Sequence, residues 1–139
     1  IWACFEYADL VKMSMEELDF VEGNELHVDT LAKIMAAGVK LIVITDGGKP
    51  LHYFSAENSG AITPIKVTMV DATAAGDAFV GGLLFTLAEQ NITPNSLGGL
   101  LTNKVAPEAA IRFSSACGAY AVQRAGAISS LPTRLDILT

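Results

Sequence analysis

The run Val39-Lys40-Leu41-Ile42-Val43-Ile44-Thr45 constrains this chain more than any other stretch. It is apolar and largely β-branched, with no polar alternation, and Asp46-Gly47-Gly48 closes it. A strand of this kind is buried on both faces, so helices must cover the sheet above and below. The flanking segments can supply them. Ser14-Met15-Glu16-Glu17 fits the capping box that opens a helix, with Leu18 and Val21 on its apolar side. Residues 28–37 carry Leu31, Ile34 and Met35 at helical spacing, and Gly38 suits a stop. Residues 76–90 are a predicted helix, apolar at Phe79, Val80, Leu83, Leu84 and Leu87. Pro107 suits the first turn of a last helix, predicted to run to Arg124. Ala8 to Met13 is a short apolar run, while Leu51 to Ser55 and Ile62 to Val70 are expected strands, the second interrupted by Pro64. An irregular tail is expected from Gly126 through Leu131-Pro132-Thr133. This alternation predicts one α/β domain over 1–139, a layered and partly parallel sheet flanked by helices.

Composition narrows the function classes. Hydrophobic residues make up 51% and charged residues 17%, which is the balance of a globular chain. A formal net charge of -6 argues against nucleic acid as a partner, although backbone amides can still bind phosphate. Residues 78–88, the longest apolar candidate, reach about half of the ~20 residues a membrane span needs. Ile1 to Asp9 carries only acidic charges, so no secretory signal is expected and the location expected is cytoplasmic. Cys4 and Cys117 show no metal-ligand spacing and are expected as reduced thiols, buried or half-buried. His27 and His52 are expected as isolated surface or packing residues, and Asp46, Glu16, Glu17 and Glu22 as a solvated acidic face. Ile1-Trp2-Ala3-Cys4-Phe5 reads like the inside of an element, so the chain is expected to be a piece of a longer protein. No Gly-x4-Gly-Lys-Ser/Thr occurs, and no Gly-x-Gly-x-x-Gly follows a strand; the usual P-loop and dinucleotide-binding classes are not expected.

Chemistry concentrates in Asp71-Ala72-Thr73-Ala74-Ala75-Gly76-Asp77, which leads into the 76–90 helix. Its small residues let a ligand approach the main chain. The first-turn N–H groups of a helix lack partners, and the macrodipole adds roughly half a positive charge there. The loop is thus a natural anion hole at Ala74, Ala75 and Gly76, with the Asp77 carboxylate at its mouth. A plainer account makes Asp77 the N-cap of an ordinary helix. The residues alone do not separate the two.

Val70-Asp71-Ala72-Thr73-Ala74-Ala75-Gly76-Asp77-Ala78-Phe79 resembles the signature of ribokinase-like carbohydrate kinases, Asp-Thr-x-Gly/Ala-Ala-Gly-Asp followed by an aromatic. The similarity covers almost the whole chain. Ala8 through Glu17 resembles the family segment ending in Asn-x-x-Glu, with Ser14 in place of Asn. Thr45 through Pro50 resembles the nucleotide-binding Thr-x-Gly-x-x-Gly turn, with Pro50 in place of the last Gly, and Ala72 replaces the usual Thr of the signature. Cys117-Gly118-Ala119-Tyr120-Ala121 and Gly126-Ala127-Ile128-Ser129-Ser130-Leu131-Pro132-Thr133 resemble the end of fructokinases.

The resemblance implies a Rossmann-like, ribokinase-like α/β fold and the C-terminal, nucleotide-binding and catalytic half of a kinase domain. It implies transfer of a phosphoryl group from ATP to a sugar hydroxyl, with Asp77 as catalytic base and the loop amides stabilising phosphoryl charge. Fructose is the acceptor it favours, with ribose, an aminoimidazole riboside and 2-keto-3-deoxygluconate open; a non-catalytic nucleotide-binding homologue is the alternative. Ser14, Thr45, Gly47 and Ser115 match nucleotide-contacting positions, and Glu17 matches the acidic residue that helps organise Mg²⁺. Asp71, Thr73, Ala121, Arg124, Gly126 and Ser130 match a monovalent cation site, K⁺ being the ion implied. Pro50 has no backbone N–H, so phosphate contacts are expected elsewhere in that turn. A homodimer or self-association is expected of a chain that carries only this half.

Overall fold

A computed structural model of the chain describes residues 1–23 and 27–138. Two compact units divide it: Ile1–Thr63 with Pro94–Lys104, and Pro64–Thr93 with Val105–Thr139.

The first unit holds the sheet. Its elements are α1 (Trp2–Phe5), β1 (Leu10–Ser14), α2 (Met15–Glu22), α3 (His27–Ala36), β2 (Leu41–Thr45), β3 (Leu51–Phe54), β4 (Ser59–Ile62) and α5 (Pro94–Leu100). The strand order is β1-β2-β3-β4; β1 and β2 are parallel, and the two later pairings are antiparallel. The expected partly parallel sheet is therefore present. Leu41 through Ile44 are all buried, as their uninterrupted apolar run requires. Ile42 and Ile44 pack with Met13, Leu18, Ile34, Val39 and Phe5, a cluster joining β1, α1, α2 and α3.

The parallel pair is anchored at its base by Asp9, whose carbonyl accepts the N–H groups of Lys40 (2.8 Å) and Leu41 (3.2 Å). The Lys40 ammonium returns to the Asp9 carboxylate at 2.5 Å. It also donates to the Pro94 carbonyl at 2.7 Å, while Asn58 donates to that of Leu101 at 2.8 Å, which ties the 94–104 segment to the sheet. Gly60 stands opposite fully buried Tyr53; a Cβ there would meet the tyrosine ring at 2.7 Å. Ring and bare backbone thus make one cross-strand pair.

The second unit is helical: α4 (Ala75–Glu89), α6 (Val105–Ala121), a 3₁₀ turn at Ile128–Ser130, and α7 (Arg134–Leu138). Helices α4 and α6 approach closely because Gly82 faces α6. A Cβ at Gly82 would lie 2.8 Å from Cys117 Sγ and 3.1 Å from Ser114 Cα. Tyr120, Asp136 and Thr133 tie α7 to α6. The Asp136 carboxylate accepts from the Thr133 N–H (2.7 Å) and hydroxyl (2.6 Å), and these bonds with that from Tyr120 hold it below the usual carboxylate range.

The structure corrects several expectations. The expected strand over Ile62 to Val70 is not formed; β4 ends at Ile62, where the ladder with Leu51 ends. Pro64 cannot donate to a ladder, and Ile65, Met69 and Val70 are exposed. The helix expected to be last is α6, which ends at Ala121 rather than Arg124 in bonds from Gln123 to Tyr120 and from Arg124 to Ala121, and α7 follows it. Cys117 is buried, its thiol pushed up by burial, but Cys4 is exposed. His27 is not isolated, because it pairs with Asp19 and Glu22, which also takes Glu22 out of a purely solvated face. Among the described residues, no helix is long and apolar enough to cross a membrane.

Candidate active site

In the second unit, the 71–77 loop is fastened before its helix begins. The Val122 carbonyl, just past the end of α6, accepts from the N–H groups of Val70 (2.7 Å) and Asp71 (3.1 Å). The Asp71 carboxylate accepts from the Thr73 N–H at 2.9 Å and from the Gly126 N–H at 3.1 Å. Bonds from the Thr73 hydroxyl and N–H, and then from Gly126, hold this carboxyl below its usual range. Asp71, Thr73 and Gly126 are thus brought together. Arg124 lies over the Tyr120 ring at 3.6 Å, and the buried Ser130 donates its hydroxyl to the Ala127 carbonyl at 2.8 Å.

The loop then turns sharply. Ala74 takes a left-handed conformation, φ 63 and ψ 5, and stands as the N-cap of α4 without any side-chain oxygen to cap it. The turn closes through Ala75 N–H to the Ala72 carbonyl at 3.2 Å, and the ladder starts with Ala78 N–H to Ala74 at 2.8 Å. Among the described residues, no side chain caps the N–H groups of Gly76 and Asp77 between them. Asp77 is the third residue of the helix, not its cap, and is exposed. Among the described residues its carboxylate has no hydrogen-bond partner. The plainer N-cap account therefore does not describe Asp77. A cavity of ≈ 230 Å³ opens beside it, bounded by Phe85, Phe113, Cys117, Leu131, Arg134 and Ile137. Ser115 is buried on α6.

The other matched residues lie in the first unit, at the C-terminal ends of the parallel strands. Ser14 and Thr45 are register partners there, and the Thr45 hydroxyl leans toward the Met13 carbonyl at 3.4 Å. Ser14 and Glu17 form the expected capping box, Glu17 Oε2 accepting from Ser14 N–H at 2.6 Å and Ser14 Oγ from Glu17 N–H at 3.1 Å. One oxygen of the exposed Glu17 carboxylate is committed to the cap. Gly47 carries the positive φ of the following turn, 54°, and Lys49 N–H closes it on Asp46 at 2.9 Å. Pro50 is not among the positive-φ residues, so the turn absorbs it.

Sequence reasoning did not foresee Gly118 and Val122. Gly118 sits where a Cβ would come within 3.2 Å of the Ala75 carbonyl, so α6 can pass close to the start of α4. Gly118 had a signal, a glycine inside a helical pattern; Val122 acts through its main chain and had none.

Known proteins align with this arrangement along nearly its whole length. The chain is similar to Fructokinase-1 of Oryza sativa subsp. japonica, 37% identical over 139 residues, which are 99% of this chain and 41% of that protein. A fructokinase from Xylella fastidiosa, solved with bound ATP, superposes with a TM-score of 0.94 at 32% identity, covering 99% of this chain and 43% of that one. A fructokinase double mutant from Vibrio cholerae O395, solved with fructose, ADP and potassium ion, gives 0.82 at 30% identity, covering 98% and 41%. The chain spans less than half the length of these relatives. The expected α/β kinase fold is the fold they share. The family profile of pfkB carbohydrate kinases matches residues 1–134, and the chain belongs to that family.

Proposed function

We propose that this chain is the nucleotide-binding and catalytic portion of an ATP-dependent fructokinase, forming fructose 6-phosphate and ADP. The observation that carries the reading is the first turn of α4. Its uncapped amides and the unpartnered carboxylate of Asp77 stand side by side on a loop that is itself pinned at both ends. The acceptor sugar is read from the relatives' names and from the fructose bound in the Vibrio cholerae enzyme.

In this reading Asp77 accepts the proton of a sugar hydroxyl as its oxygen bonds to the γ-phosphorus of ATP and the bond to ADP breaks. The hydroxyl becomes acidic only as the new bond forms, so the placement of Asp77 counts for more than its basicity. The first-turn amide of Gly76, with that of Ala74, faces the charge on the transferred group, whereas the expected contribution of the Ala75 amide is spent on the Ala72 carbonyl. Ser14, Thr45, Gly47 and Ser115 contact the nucleotide.

Glu17 suits Mg²⁺, since its carboxylate is exposed and only one oxygen is spent on the Ser14 amide. Main-chain groups of Asp71, Thr73, Ala121, Arg124 and Gly126, with Ser130, would hold K⁺, and the Asp71 carboxylate clasps Thr73 and Gly126 beside them. Bound cations would offset phosphate charge there. The isolated chain is expected to self-associate, with Ile65, Met69 and Val70 exposed.

Fructose-dependent ADP release from Mg²⁺-ATP, measured on the protein that carries this chain, tests the reading. Turnover supports it. Nucleotide binding without fructose-dependent release would instead favour a non-catalytic nucleotide-binding homologue. For the 139-residue chain alone, light scattering should show association and the assay no turnover.

A further inference from the structure

We propose that Asp19, Glu22 and His27 form a binding site for a divalent transition-metal ion, Zn²⁺ above all, where α2 meets α3. Asp19 and Glu22 stand three residues apart on α2, which puts both carboxylates on one helix face, and His27 is the first residue of α3. His27 Nε2 lies 2.8 Å from Asp19 Oδ1 and 2.7 Å from Glu22 Oε2. The three ligand atoms all lie within 4.8 Å of one another.

A single imidazole nitrogen carries at most one hydrogen. That hydrogen cannot make a full-strength bond to two carboxylates at once, because each would be met off its axis. Without the hydrogen, a lone pair faces two anionic oxygens, an arrangement that a cation among them would relieve. Neutral imidazole with two carboxylates carries two negative charges, matching a divalent ion. One borderline nitrogen and two hard oxygens are a donor set that Zn²⁺ accepts, with water completing four-coordination.

Metal bonds of about 2.0–2.2 Å place neighbouring ligand atoms of a tetrahedron roughly 3.3–3.6 Å apart, so His27 Nε2 must move away from each carboxylate by about half an ångström or somewhat more, and the two carboxylate oxygens must settle to that spacing from within 4.8 Å. They have room to do so. The side chains of His27 and Asp19 are 47% and 60% exposed, while Glu22, at 12%, is the fixed member. The ion would clip the end of α2 to the start of α3. Glu17 is committed to the capping box at the opposite end of α2, so this site is separate from the residues assigned to phosphoryl transfer. The inference does not rest on the kinase reading.

The test is calorimetric titration of Zn²⁺ into the chain in a Cys4→Ser background, which removes the exposed thiol as a competing ligand. One equivalent should bind. His27→Gln and Glu22→Gln should each raise Kd at least about tenfold, since even outer partners of metal ligands are worth that much. His52→Gln should leave Kd unchanged. Circular dichroism verifies that each variant is folded, and proton NMR of the two histidine rings reports which one shifts. No binding at micromolar Zn²⁺ would overturn the site. So would a His27→Gln variant that titrates like its parent, or a ring shift confined to His52.

Discussion

Gly126 donates its N–H to Asp71 across 55 positions, at 3.1 Å, and Asp71 spends its other carboxylate oxygen on the Thr73 N–H. One side chain therefore fixes both the loop that precedes α4 and the turn that follows α6. Because the folded carboxyl is held below its ordinary value of 3.8, the clasp is at full strength above that pH. It weakens as the pH falls through the folded value, where the carboxylate takes up a proton. Asp136, also held low, acts with the same sign. Thermal melts from pH 5 down to pH 2 should show a steep loss of stability. Asp71→Asn should lower the melting temperature at pH 7 and flatten that slope; an unchanged slope would show that the clasp carries no linkage.

Ala74 holds a φ of 63, a conformation that costs a residue with a Cβ about 1–2 kcal/mol. Glycine escapes that cost but loses more backbone entropy on folding. Ala74→Gly is expected to match or exceed the parent by up to about 1 kcal/mol, and Ala74→Val to fall more than about 1 kcal/mol below it. Urea unfolding of the two variants measures this directly.

Adjacent glycines of α4 should respond in opposite ways. A Cβ at Gly82 meets Cys117 Sγ at 2.8 Å and Ser114 Cα at 3.1 Å, whereas at Gly81 nothing lies within 4 Å. Gly82→Ala should cost about 1–3 kcal/mol by forcing α4 and α6 apart. Gly81→Ala should gain up to about 1 kcal/mol through helix propensity. Equal effects from the two substitutions would mean that the helix pair yields more readily than its packing suggests.

Asp77→Asn keeps the shape of the side chain and removes its capacity to accept a proton. In the protein that carries this chain, kcat should drop by roughly 10²–10⁴, the usual worth of general base catalysis, with ATP affinity little changed. Steady-state kinetics beside an ATP-binding isotherm separate the two. A variant with near-normal kcat would release Asp77 from the role.

What could be read ahead of the structure was what local chemistry dictates. The burial of β2, the Ser14 and Glu17 capping box and the extent of α4 all follow from neighbours in sequence. Elements decided by distant partners were not legible. β4 is Ser-Gly-Ala-Ile, which has little strand propensity, and it pairs because Gly60 leaves room for the Tyr53 ring. Residues 62–70 have the better strand composition, yet beyond Ile62 they find no ladder. α5 contains two glycines and gave no helical pattern, and α7 was missed as well, hidden behind the irregular tail that the sequence suggested from Gly126 to Thr133. At the candidate site, the place of Asp77 near the start of α4 was legible from the signature. Its freedom from the capping role depends on Ala74 turning left-handed, which needs the backbone itself.

The double acceptance by the Val122 carbonyl has a consequence for how sequences of this kind can diverge. The joint that holds the entrance of the loop, from Val70 and Asp71 to Val122, is built from main chain alone. Side chains at 70 and 122 can drift without any trace in the attachment, so their variability among descendants says nothing about its loss. Only proline at 70 or 71 would delete a donor from it. Inheritance here acts on shape and leaves the letters free.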